Sequence, residues 1–420
     1  STLSRSGVHE RSRDSGPGGA KLRVATAHVV QSGRPADGLA SACGSFTLVL
    51  GALLFATGPV VASAAEAPDP ASEERPDGDR EDAPSEQERG EGFWHRFRDP
   101  EDGKLDLTAG GSQGAGFLPL AIPFNDPAVG FGLALALTYF HPASGDADAS
   151  SESTAAPPTA SFGAVAGTTN GSWFVAAGHH HVWRHDRIRY LGAVGGGPID
   201  LTFFGFGDED TNKGDGLDFT IEVVGPVQQV KFRIGRSPVL LGAKYVYATT
   251  DTSFDTVLAG PLSGETEIAG LAGLVEYDSR DTVFTPGKGL RASVELSWFS
   301  EALGGDFDFA SAKAGLRYYW PLARRWTLGF RADLDAVGDD APFYALPFVK
   351  LRGVPVFRYL GNYAGTIEVE PRYRINARWS VLAFAGAGRA ATEIENLSDA
   401  DKVYGYGAGF RYLLARKLGL

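Results

Sequence analysis

The 420-residue sequence predicts an all-β protein, a transmembrane antiparallel β-barrel preceded by a secretory signal peptide and a disordered acidic linker. Three observations carry that prediction. One short apolar run lies in the N-terminal region, an acidic stretch without a large aliphatic side chain follows it, and from about Gly114 onward hydrophobicity alternates with period two. The 55 Gly residues, about twice the usual share, argue against a helix bundle. One Cys excludes a disulfide scaffold and a Cys-based zinc site. A mean hydropathy of -0.12, with no second long apolar run, excludes a multi-span helical membrane protein.

Residues 1–64 read as a mis-set N-terminus plus a signal peptide. The chain opens on Ser1 and contains no Met, so its natural start is expected inside residues 1–40. Phe46–Val61 is apolar and ends at Ala62-Ser63-Ala64-Ala65, the small-residue pattern of a cleavage site, placed after Ala64. Cys43 precedes the apolar run, so it cannot be a lipidated cysteine following it. Residues 65–104 read as the linker. Of these, 65–92 carry 11 acidic and 3 basic side chains and too little apolar surface to offset the entropy of ordering. The net charge of -12 and the absence of a basic patch exclude a nucleic-acid partner.

Residues 105–420 read as the barrel. Leu290, Ala292, Val294, Leu296 and Trp298 alternate with Arg291, Ser293, Glu295 and Ser297. Trp326 to Leu334 and Tyr363 to Glu370 repeat the pattern, with every charge on one face. That is how a strand looks with lipid on one side and a wet lumen on the other. The pattern predicts fourteen strands. The first seven are 114–122, 129–140, 159–169, 172–183, 188–196, 216–232 and 238–250. The others are 266–278, 288–300, 307–320, 325–336, 361–374, 378–389 and 403–413. Short links such as 323–324 and 376–377 are expected at one end, and longer ones such as 197–215, 337–360 and 390–402 at the other. Tyr139, Tyr318, Trp320 and Trp379 near strand ends suit interfacial girdles.

Two motifs go further. Tyr277-Asp278-Ser279-Arg280-Asp281-Thr282-Val283-Phe284-Thr285-Pro286-Gly287-Lys288-Gly289 is a turn by chemistry, since Pro286 cannot serve a central ladder and the glycines allow tight turning. Leu351-Arg352-Gly353-Val354 lies in the long link 337–360. The first resembles the D-S-R-D-N-P-x-x-P-x-x-G signature of the BamA/TamA outer-membrane insertase superfamily, the bacterial surface antigen family. The second resembles that family's Val-Arg-Gly-Phe motif, carried on an extracellular loop that folds back into the lumen. The resemblance spans roughly 93–420. It implies a sixteen-strand barrel, with about two strands expected beyond Leu420. It also implies a short branch lacking POTRA modules, because only the acidic linker stands between signal and barrel.

The resemblance implies roles for particular residues. Asp278, Arg280, Asp281, Pro286 and Gly289 would form the periplasmic turn, and Arg352 would be held by Glu370 or by Glu368 two residues earlier on the same face. The family's second acid, on the following strand, is replaced here by Gly386, and Val354 stands for the usual aromatic, so a thinner lock is expected. The implied function is insertion or translocation of protein, or lipid, at the outer membrane of a Gram-negative bacterium. The alternative is a passive pore or structural barrel plugged by the motif loop. Expected partners are outer-membrane lipids, with nascent outer-membrane proteins or a separate periplasmic protein.

No enzyme is expected, since no nucleophile elbow or phosphate-cradling loop is present, and no cofactor is expected. His179, His180, His181 and His185 invite a metal reading. Alternation separates His180 from its neighbours, so no three converge locally and no metal is expected. Asp208, Glu209, Asp210, Asn212 and Asp215 do not fit an EF-hand and read as an acidic surface loop. Asp335, Asp339 and Asp340 are expected to be solvated.

Overall fold

The computed structural model describes residues 116–141, 157–204, 216–254 and 263–413. The expected signal peptide, the acidic linker and the acidic loop at 208–215 lie outside these residues. All fourteen predicted strands are present. They are β1 Gly116–Asp126, β2 Gly130–Phe140, β3 Ala160–Thr168, β4 Trp173–Trp183, β5 Ile188–Phe203, β6 Leu217–Arg233 and β7 Val239–Phe254. They continue as β8 Gly264–Asp278, β9 Gly289–Phe299, β10 Phe309–Ala323, β11 Trp326–Val337, β12 Tyr363–Arg374, β13 Trp379–Ala391 and β14 Val403–Tyr412. Each pairs antiparallel with its sequence neighbours in one sheet, ordered β1 to β14. Among the described residues no ladder joins β1 to β14.

The two faces differ as alternation requires. Val294, Leu296, Leu316, Leu334 and Ile367 point outward and are 40–63% exposed. The interleaved Arg291, Glu295, Arg317, Asp333 and Glu368 point inward and join ion pairs or hydrogen bonds. Aromatics ring the outward face near the strand ends. Trp326 packs on Tyr373 at 5.0 Å and Trp379 on Tyr412 at 4.8 Å, at the end that carries the short links 324–325 and 375–378. This end is called the turn end below, and the opposite one the loop end.

Two features depart from expectation. β5 runs to Phe203, seven residues past its expected end, because Gly195-Gly196-Gly197-Pro198 is strand and not turn. Gly197 has φ +154°, and a Cβ there would lie 2.3 Å from the Trp173 carbonyl oxygen, so only glycine lets β4 begin so close. The short–long alternation of links also fails early. Links 127–129 and 169–172 are short at the loop end, closed by Asp126 accepting from the Ala128 N–H at 2.8 Å and by Asn170 accepting from Ser172.

Near the loop end the polarity of the wall inverts. On β6, Phe219, Ile221 and Val223 are buried inward while Asp218, Thr220 and Glu222 face out. Glu222 stands opposite Asp251 of β7, which stands opposite Glu265 of β8. Three carboxylates in an outward row require water, so β5 to β8, at 15–17 residues each, rise past the lipid-covered band. Inside this extension the lumen is packed with aromatic rings. Phe343 of the 338–362 link sits 5.5–5.6 Å from the rings of Phe203, Phe219 and Phe254. The inward charged side chains expected of a lumen are therefore found toward the turn end, and the link packs into the rest.

A cation on the lipid band should be costly. Leu334→Arg, on an outward position 49% exposed, should destabilise the barrel by about 2–4 kcal/mol in urea unfolding from vesicles. The same substitution at outward Thr220, above the band, should change stability by less than about 1 kcal/mol. Equal effects at both positions would refute this placement of the membrane.

Candidate functional site: the lumen loop and the motif turn

The link 338–362 enters the lumen and lies against β11 to β14. Its single-turn 3-10 helix Phe343–Ala345 seats Tyr344, whose hydroxyl lies 2.7 Å from Thr266 Oγ1 and accepts from Thr250 Oγ1 at 3.2 Å. Phe357 adopts φ +60° and is buried. A non-glycine residue in that region costs about 1–2 kcal/mol, offset here by its contacts with Phe348 and Phe219.

Past the helix the loop carries two cations to the wall. The Lys350 ammonium donates to Asp335 at 2.6 Å, and its backbone N–H to Thr366 Oγ1 at 3.2 Å. Asp335 is thus buried and paired rather than solvated, because β11 points it at the loop. Asp339 accepts from Asn362 Nδ2 at 2.9 Å, and Asp340 is exposed as expected. Arg352 then donates from Nε and Nη2 to Glu368, with the Nε bond at 3.0 Å, and from Nη1 to Glu370 at 2.9 Å. Its Cζ lies 3.7 Å from the centre of the Phe384 ring. The other Glu370 oxygen accepts from Arg411 of β14 at 2.7 Å. Burial opposes the Arg352 charge, and the Glu368 and Glu370 carboxylates more than offset it, raising its pKa above the ordinary arginine value.

The expected thinner lock is therefore two acids on one strand instead of one on each of two. Glu368 and Glu370 alternate with Val369, so β12 roots both side chains on its inward face, about 7 Å apart along the strand, and their carboxylates converge on one guanidinium. Gly386 has a different use. A Cβ there would lie 2.7 Å from Leu351 Cδ2, and at Gly388 one would lie 2.4 Å from Val349 Cγ1. Absent side chains on β13 make the bed on which Val349 and Leu351 lie, and Val354 packs against the same small cluster with Val403. Gly353, at φ +82°, turns the chain, and Val354 N–H closes that turn on the Leu351 carbonyl at 3.2 Å.

The motif turn, 279–288, is fastened from within. Asp278 receives Arg280 through Nε and Nη2, both at 2.9 Å, and Arg280 Nη1 donates to the Val283 carbonyl at 3.1 Å. Burial opposes this arginine's charge, and the Asp278 carboxylate outweighs it, so its pKa is raised. Asp281 accepts from the N–H groups of Thr282 and Gly287, both at 2.9 Å. Gly289 has φ +106°, and a Cβ would meet the Ser279 carbonyl oxygen at 2.3 Å. Pro286 offers its carbonyl to Arg372 Nη2 at 2.5 Å.

That last contact escaped sequence reasoning. Glu368, Glu370 and Arg372 are successive inward positions of β12, so one strand holds both the loop arginine and the motif turn. The signal was the charge alternation in Glu368-Val369-Glu370-Pro371-Arg372. At Glu370-Pro371 the β12–β13 ladder is interrupted between Val369↔Ala385 and Arg372↔Leu382. Proline has no N–H to give there.

A second polar group forms on the outward face. His141 follows β2, and its Nε2 lies 2.9 Å from Ser161 Oγ, which lies 2.8 Å from His179 Nδ1. His179 Nε2 lies 3.2 Å from His181 Nδ1. Three imidazoles do share a face, because the third, directly after the end of β2, stands 38 residues before His179. His180 points inward, its Nδ1 lying 3.1 Å from the Pro158 carbonyl oxygen. Among the described residues no group of three or more His, Cys, Asp or Glu is arranged to hold a metal ion.

Wall, lumen loop and motif turn together define a membrane β-barrel whose interior is occupied by its own loop. The family model of the Omp85 superfamily domain matches residues 200–346, which include the motif turn and end just before Leu351. No curated protein matches the sequence. Among solved structures it is similar to BamA from Haemophilus ducreyi lacking POTRA domains 1–3, with 12% identity and TM-score 0.49, covering 74% of this chain and 65% of that one. It is also similar to CdiB from Acinetobacter baumannii, with 8% identity and TM-score 0.45 over 70% of this chain and 53% of that one. CdiB from Escherichia coli gives 13% identity and TM-score 0.47 over 70% and 55%. The chain thus spans less than two thirds of each of these proteins.

Filling the bed beneath the loop should unseat it. Gly386→Val should expose Lys350 and Arg352 to trypsin, with cleavage in folded barrels at least about tenfold faster than in wild type. Unchanged resistance to trypsin would show that the loop does not rest on β13.

Proposed function

We propose that this protein is an outer-membrane β-barrel of a Gram-negative bacterium, exported through a cleaved signal peptide, that assists insertion or translocation of proteins, or lipids, at that membrane. The observation that carries the reading is a lumen loop clamped by Arg352 to β12 in a sheet whose β1 and β14 edges are unpaired among the described residues. A free edge presents a row of N–H and C=O groups, a template on which another chain can add as a strand. The clamp ties β11 to β14 to a fixed loop through Asp335, Glu368, Glu370 and Arg411, which supports a rigid wall beside the β14 edge. Client chains would be nascent outer-membrane proteins, with membrane lipids or a separate periplasmic protein as further partners. No step requires a cofactor or nucleotide.

The second reading is a structural barrel or passive pore in which the loop is a plug. The aromatic packing of Phe343 against Phe203, Phe219 and Phe254 favours a plug over an open pore. Both readings are tested by the folding rate of a small client barrel into liposomes that contain this protein, with Arg352→Ala as control. The insertase reading expects faster folding with the wild type and loss of that gain in the variant. No acceleration, together with stable ion conductance, would contradict it and support the pore.

A further inference from the structure

The outward wall formed by β2, β3 and β4 carries a polar feature that neither the loop nor the turn uses. His179 and His181 stand two residues apart on β4, and the strand's period of two puts both on the outward face. Tyr139 meets His141 edge-on at 4.8 Å and Trp183 lies 4.2 Å from His181, so the imidazoles sit in the turn-end aromatic belt. No Asp, Glu, Lys or Arg occupies an outward position of β2, β3, β4 or the turn-end half of β5. Ionisable groups on a lipid-facing wall are costly and mark sites with a use.

The hydrogen bonds prepare these rings for a ligand. Ser161, directly across the ladder from His179, engages its Nδ1 at 2.8 Å and is itself engaged by His141 Nε2 at 2.9 Å. A histidine held at one ring nitrogen by a neighbour presents the other as a metal ligand, the usual arrangement around bound transition metals. The presented atoms, His179 Nε2 and His181 Nδ1, are 3.2 Å apart. Two nitrogens bound to a tetrahedral zinc ion at about 2.0–2.1 Å stand roughly 3.3 Å from each other. Loss of the shared proton, with both rings turned so that their lone pairs converge on one point, converts the His179–His181 contact into that bite at nearly the same nitrogen separation.

We propose that His179 and His181 chelate a divalent transition-metal ion of the imidazole-preferring kind, Zn2+, Cu2+ or Ni2+, with Ser161 as the positioning residue. Two protein ligands leave the other positions to water, which makes the site exchangeable rather than structural. His180, on the inward face, and His185, in the β4–β5 turn, take no part.

The test uses the full chain in detergent micelles, titrated with Cu2+ alone and followed by electron paramagnetic resonance, and with Zn2+ alone followed by calorimetry. The expected result is saturable binding of one equivalent, with two-nitrogen hyperfine structure in the Cu2+ spectrum of the wild type. His179→Gln and His181→Gln should each weaken Zn2+ binding by about tenfold or more, while His180→Gln and His185→Gln should leave it unchanged. Heat-dependent gel mobility reports which variants are folded, and the wild-type spectrum needs no variant. Absence of saturable binding, or wild-type affinity in both His179→Gln and His181→Gln, would overturn the proposal.

Discussion

A guanidinium drawn into a protein wall keeps its charge only where carboxylates meet it, and for Arg352 that requirement settles where a long link can lie. Glu368 and Glu370 are two residues apart on β12, and between them they accept three of its hydrogen bonds. Removing Arg352 from this half-buried group leaves Glu368 without its cation, at a cost of about 1.5–3 kcal/mol, so the loop is held in place as much by that penalty as by attraction. The same strand extends the grip to the motif turn through Arg372 and the Pro286 carbonyl. Arg411 adds β14 to the group through Glu370. Loop, turn and the β14 edge are therefore tied to one element.

Solvent divides the rest of the molecule. Through the lipid band the wall is apolar outside and charged inside, and the inward charges pair across strands, as Lys231 and Arg291 do on Glu276, each at 2.9 Å. Above the band the wall reverses, with Glu222, Asp251 and Glu265 outside and Phe219, Ile221 and Val223 inside. The aromatic part of the loop fills that inverted section, while its basic part reaches the charged one. One link thus satisfies two chemistries because its own sequence changes from Phe343-Tyr344 to Lys350 and Arg352 along its length.

Much of this was legible before any coordinates, for a physical reason. Period-two alternation is strong where one face meets lipid, so all fourteen strands were located, most ends within about three residues. β5 was cut short because Gly195-Gly196-Gly197-Pro198 carries the composition of a turn, and only the proximity of Trp173 explains glycine there. The inversion on β6 was written in Asp218-Phe219-Thr220-Ile221-Glu222-Val223, but alternation alone does not say which face is in. Asp335 seemed solvated because nothing local reveals Lys350 folding back 15 residues later. The carboxylates for Arg352 were legible through the motif. Arg372 on Pro286, 86 residues apart, and His141 beside His179 depend on strand register, which is a property of the assembled sheet.

The Arg352 clamp, and not the aromatic packing alone, keeps residues 346–360 in the lumen. Amide hydrogen exchange of that segment, compared between wild type and Arg352→Ala in vesicles, tests it most directly. Loss of the paired guanidinium should speed exchange there by roughly 100-fold, the equivalent of about 3 kcal/mol, while the β12 ladder to β11 stays protected. Exchange in the loop that is the same in both proteins would contradict the account.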